Sequence, residues 1–123
     1  MKVLLGVGGN EDSWRALDRT AERTVSAGDA LTVAVYDHAD ADLEPDEVER
    51  EVNRRLTEYD LDVSVRRIGD DDPGIELTEI AENEDFDAIV LGGGQRSPMG
   101  KIRVGPVAEY VVLNARTTVT LIR

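Results

Sequence analysis

Residues 88–107 read AIVLGGGQRSPMGKIRVGPV. The run Ala88-Ile89-Val90-Leu91 is wholly apolar and sits between Asp87 and three glycines, which is the pattern of a short buried strand. Gly105-Pro106 then opens a helical pattern, with proline at the first helical position, where a missing N–H costs nothing. The stretch from Gly92 to Val107 is therefore expected to be a glycine-rich loop of about a dozen residues joining a strand to a helix N-terminus. Free backbone N–H groups and the positive end of a helix dipole can hold an anion in such a place. A plain tight connection is the competing reading of the same composition.

Working outward in chain order, Lys2 to Val7 has an apolar centre at Val3-Leu4-Leu5, and Ala30 to Tyr36 reads ALTVAVY. Strands apolar on both faces belong in a parallel sheet covered by helices. Between them, residues 8–13 (GGNEDS) turn into a helix whose stripe is Trp14, Leu17, Ala21 and Val25. Asp12 or Ser13 is expected to cap its start and Gly28 to stop it. Pro45 starts a second helix with the stripe Val48, Val52, Leu56 and Tyr59, and Glu51 lies four residues before Arg55 in the favoured direction. Leu61 to Ile68 alternates and then turns polar at Arg66-Arg67, as an edge strand does. A third helix follows Pro73-Gly74 with Leu77, Ile80 and Ala81. The last helix, about Pro106 to Ala115, packs Val107, Tyr110 and Val111. Thr117 to Ile122 closes the chain as a strand.

The order βαβαβαβαβ over 123 residues predicts one α/β domain with right-handed crossovers and a parallel sheet. Ligands of such sheets sit beyond the carboxyl ends of the strands, where strand order reverses. That rule brings the Gly8-Gly9 turn after strand one opposite the loop after strand four.

Twenty-six acidic residues face 14 basic ones, 12 of them arginine, for a net charge of −12. Such a surface repels nucleic acid and anionic membrane, so neither is an expected partner. No apolar run approaches the length of a membrane span, the start MKVLLGVGG does not read as a signal peptide, and there is no cysteine. The expectation is a soluble, cytoplasmic protein. The acidic excess with only two lysines also suits a high-salt, halophilic-like cytosol. If so, melting temperature should rise as sodium or potassium chloride is raised towards molar concentration, and a salt-independent melting curve would reject the idea.

Other chemistry finds little support. His38 is the single histidine, with no cysteine or second histidine to complete a metal site, and it cannot serve all four serines as a catalytic base. The carboxylates Asp70-Asp71-Asp72 read as solvated loop charge. Residues 6–11 (GVGGNE) approach a dinucleotide fingerprint, and Asp37 stands where a ribose-binding acid would, but Glu11 replaces the third glycine. No catalytic residue and no metal ligand is assigned.

These residues resemble the universal stress proteins over nearly the whole chain. That family carries Gly-x-x-Gly, nine residues, then Gly-Ser or Gly-Thr and a valine. Here Gly92 lies 13 residues before Gly105, and Val107 is in place; Arg96-Ser97, Ala108-Glu109 and the opening GVGGNEDSWRAL are also similar. The resemblance implies a single-domain, five-stranded parallel α/β sheet with helices on both faces. This is the Rossmann-like, adenine nucleotide alpha hydrolase-like arrangement, with strand order 3-2-1-4-5. It further implies a homodimer and, in one branch, ATP or AMP with magnesium held by these loops. The residues it points to are Gly8, Gly9, Gly92, Gln95, Arg96, Ser97, Gly105, Pro106 and Val107. Three of them depart from the pattern. Gln95 replaces the second loop glycine, Pro106 replaces the phosphate-contacting Ser or Thr, and Gly8 stands where the nucleotide-binding branch has an acid. Arg96, Ser97 and Lys101 remain as phosphate contacts. The expected function is a dimeric stress-response module, not an enzyme, with a degenerate nucleotide loop, joined through Thr117 to Ile122 and acting on a regulated protein or transporter. The alternative is an ATP- or AMP-binding regulatory module using the 92–107 loop.

Overall fold

In the computed structural model, residues 1–37, 41, 43–61, 63–69, 72–93, 95–96 and 102–123 are described, the side chains of residues 95, 96, 102 and 103 excepted. The elements are β1 (Lys2–Val7), α1 (Glu11–Ala27), β2 (Ala30–Val35), α2 (Pro45–Thr57), β3 (Val63–Arg67), α3 (Pro73–Asn83), β4 (Ala88–Gly92), β5 (Gln95–Arg96), β6 (Ile102–Arg103), α4 (Pro106–Asn114) and β7 (Thr118–Ile122). Five strands form a parallel sheet in the order β3-β2-β1-β4-β7, so β3 and β7 are its edges. The order reverses between β1 and β4, as expected.

Strand alternation divides the core into two layers. Val3, Leu5, Val7, Leu31, Val33, Val35 and Val90 point to α1 and α2, where they meet Ala16, Leu17, Ala21, Val48, Val52 and Leu56. Leu4, Ala34, Ile89 and Leu91 point the other way, to Leu77 and Ala81 of α3 and Ala108 and Val111 of α4. Each fully buried Leu, Ile or Val stabilises by about 1.5–3 kcal/mol, which is why the central strands carry polar residues only at Lys2 and Thr32. β7 follows the same alternation: Val119 and Leu121 pack on the α3/α4 layer and Ile122 on the other.

The predicted α1 stripe needs correction. Val25 is 54% exposed, and the buried arc instead uses Ser13, Ala16, Leu17, Thr20, Ala21 and Thr24. Trp14 is half-buried beside the arc, with the Arg55 guanidinium 4.8 Å from its ring centroid. Arg55 also bonds Glu51 at 2.9 Å and Asp18 at 3.0 Å, tying α2 to α1. Gly28 ends α1 with φ 71°, the left-handed stop that the sequence suggests.

Candidate functional site

The site begins where β1 and its neighbour β4 end. After Val7 the chain turns through Gly8 and Gly9, and Gly9 has φ 93°, a conformation that glycine adopts without strain. A Cβ on Gly9 would also lie 2.6 Å from Cγ2 of Val48, so α2 closes directly over the turn. Asn10 then caps α1: its side-chain oxygen accepts from the Ser13 N–H at 3.0 Å and from the Ser13 hydroxyl at 2.8 Å. The Ser13 hydroxyl in turn accepts the Gly8 N–H at 3.0 Å. The cap is thus Asn10, not Asp12 or Ser13 as the sequence suggested. An asparagine two residues ahead of the first buried helical position, followed by two acids, carries that signal.

Two consequences bear on anion binding. The Gly8 N–H, which a phosphate at this turn would need, is already engaged by a buried hydroxyl. The first turn of α1 contains Glu11 and Asp12, so the positive end of its dipole is complemented from within the chain. Asp12 is itself buried and has an arginine, Arg15, at 3.6 Å. Across the crevice, a Cβ on Gly92 would sit 2.7 Å from Cβ and 2.8 Å from the carbonyl carbon of Asp12. The end of β4 therefore touches the start of α1, and the two glycine turns do meet at one end of the sheet.

The described residues after β4 pair with two other stretches of chain. The Gly93 N–H donates to the Ile122 carbonyl at 2.6 Å, extending the contact with β7. Gln95 and Arg96 form β5, pairing antiparallel with β6 so that Gln95 faces Arg103 and Arg96 faces Ile102. The expected glycine-rich loop of about a dozen residues contains this two-stranded ribbon, whose pairing places Gln95 and Arg96 as backbone. Ser97 and Lys101 lie outside the described residues, as do Gly94, His38, Asp70 and Asp71.

Gly105 is the N-cap of α4, with no side-chain cap bond, and Pro106 is its first residue. Among the described residues a Cβ on Gly105 would meet nothing within 4 Å. Pro106 offers no N–H, and the donors at this helix start without a backbone partner among the described residues are those of Val107 and Ala108. Val107 is half-buried against the α3/α4 layer. At the end of β2, burial pushes the Tyr36 phenol up to about 12, so it stays neutral and is no general base at ordinary pH. The residues present do not fit a triphosphate with its metal: the first turn is acidic and its amide engaged, and the hydroxyl and N–H at position 106 are both missing.

The family model described as Universal stress protein family matches residues 1–123. A universal stress protein of Methanothermobacter thermautotrophicus is 38% identical over 79 residues, 63% of this chain. That match covers 53% of the relative, about half its length. The solved universal stress protein from Archaeoglobus fulgidus overlays with a TM-score of 0.81 at 23% identity, covering 100% of this chain and 98% of that one. The structure of the universal stress protein from the same organism in complex with dAMP gives 0.76 at 21% identity, covering 100% and 98%. At such identities the likeness to solved structures is one of fold.

Proposed function

This chain belongs to the universal stress protein family, and from that premise we propose that it is a homodimeric stress-response module working by protein contact rather than by turnover of a nucleotide. The observation that carries this reading is the state of the first turn. Ser13 engages the Gly8 amide, while Glu11 and Asp12 occupy the helix start where phosphate would be drawn. A triphosphate brought there would meet two carboxylates with few free donors. Among the described residues the crevice has no acid–base pair to assign, and the chain is read as a non-enzyme whose partner is a regulated protein or transporter.

A second reading is favoured by the fold's likeness to a structure holding dAMP. A mononucleotide carries one phosphoryl group, and the N-terminus of α4, with the amides of Val107 and Ala108, is enough for it. Calorimetry with ATP, ADP, AMP and dAMP, each with and without magnesium, separates the two. The first reading expects no heat from ATP at millimolar ligand. Tight, magnesium-dependent ATP binding would overturn it, and binding of the monophosphates alone would select the second.

A further inference from the structure

On the α1 face of the sheet a cavity of about 300 Å³ runs from the amino ends of β1 and β4 along β7 to Ile122, and it follows from the topology. On one face, two helices must cover five strands. α2 lies over β2 and β3, α1 over β1 and β4, and α1 reaches β7 only with its flank. The row Thr118, Thr120 and Ile122 on that face of β7 is left beside a gap, floored by Val3, Ala88 and Val90. Thr20, only 5% exposed, lines the gap from α1. Its hydroxyl has no hydrogen-bond partner among the described residues, although Thr24 one turn later bonds the Thr20 carbonyl at 2.7 Å in the usual helical way. A buried hydroxyl without a partner costs roughly 1–3 kcal/mol, a penalty that a ligand accepting its proton removes.

The mouth carries charge of the rarer sign. Arg19 and Arg23 stand four residues apart on α1 and line the cavity. Among the described residues neither has an ion-pair partner, in a chain where acids outnumber bases 26 to 14. Asp29, also at the rim, is already paired with the N-terminal ammonium at 3.2 Å, and Asp87 accepts the Lys2 N–H at 2.7 Å. An apolar floor, an unpartnered hydroxyl and two unpaired guanidinium groups define a site of one chemical kind.

We propose that this cavity is a binding site for a small amphipathic carboxylate, its headgroup between Arg19 and Arg23 and its aliphatic body against Val3, Ala88, Val90 and Ile122. The lining includes neither glycine turn, although Ile122 bonds Gly93 through its backbone, and the proposal does not rest on the reading given to the crevice there.

The probe is sodium octanoate, with octanol and octylamine as uncharged and cationic controls. Methyl resonances of Thr20, Thr24, Thr118, Thr120 and Ile122 should shift saturably at millimolar octanoate, while those of Val48 and Val107, outside the lining, stay still. Arg19→Gln and Arg23→Gln should each weaken binding about tenfold, the loss of one charge-assisted contact. Thr20→Val preserves shape and should weaken it less. No saturable shift overturns the proposal, and so does octanol binding as tightly as octanoate. Shifts that follow protein concentration instead of octanoate mean that a second copy fills the cavity, which overturns it too.

Discussion

Gly92→Ala should lower folding stability by about 3 kcal/mol, at the upper end of what overpacking a close contact costs. The added methyl would stand 2.7 Å from Cβ of Asp12, 2.8 Å from its carbonyl carbon and 2.9 Å from its carbonyl oxygen. Two of those atoms are backbone in the first turn of α1, so no side chain can swing aside. Neither element is free to retreat: Leu17 and Ala21 anchor α1 in one layer, and Ile89 and Leu91 anchor β4 in the other. For a domain of this size the change corresponds to a melting temperature lower by roughly 10 °C. Gly105→Ala is the control, since among the described residues its Cβ meets nothing within 4 Å, and it should lose under about 1 kcal/mol as a weaker N-cap. Urea unfolding of both variants checks the pair; a Gly92→Ala protein as stable as the parent would mean that β4 and α1 do not touch as described.

The same contact shows what was legible in the sequence. The three central strands were readable because burial on both faces leaves almost no polar position, and Pro45, Pro73 and Pro106 each mark a helix start. The strand order came from the family resemblance, since alternation alone does not say which strands are neighbours. The α1 arc was misplaced because polar residues do apolar work there. Thr24 hides its hydroxyl on the Thr20 carbonyl, and Ser13 hides its own in the cap. A count of apolar side chains rotates such a helix towards Val25. The β5–β6 ribbon left no trace, since two-residue strands carry no period and are held by pairing. At the site, Gly8 was singled out for an acid that it lacks. Its actual role, an amide closed by Ser13, depends on a turn geometry that no spacing rule encodes.

Val119→Pro should convert the protein from dimer to monomer. β7 bonds β4 on one side only and is an open edge of the sheet. Such edges are normally blunted by charge, proline or a bulge, and Thr118–Ile122 has neither charge nor proline. On α4, which packs beside β7, Leu113 is 73% exposed and Val112 48%, an apolar surface that a second copy would cover. Strands pairing across a two-fold axis run antiparallel and are self-complementary, so one contact removes both edges. The choice of residue follows from the ladder. The Ile122 carbonyl points to Gly93, on the β4 side. By strand alternation Thr118 and Thr120 also point there, and the N–H groups of Val119 and Leu121 point outward. Proline at 119 therefore deletes a donor of the proposed interface and spares the bond to β4. Because Val119 also packs partly on the α3/α4 layer, Leu113→Glu is the companion variant. It disturbs no buried group and places like charges across the axis, so it should weaken the dimer with folding intact. Light scattering at molar salt and high protein concentration reads the result. The unmodified chain should run at twice its 13.5 kDa and both variants near the single-chain mass, and an unmodified chain that is itself monomeric would refute the edge-to-edge dimer.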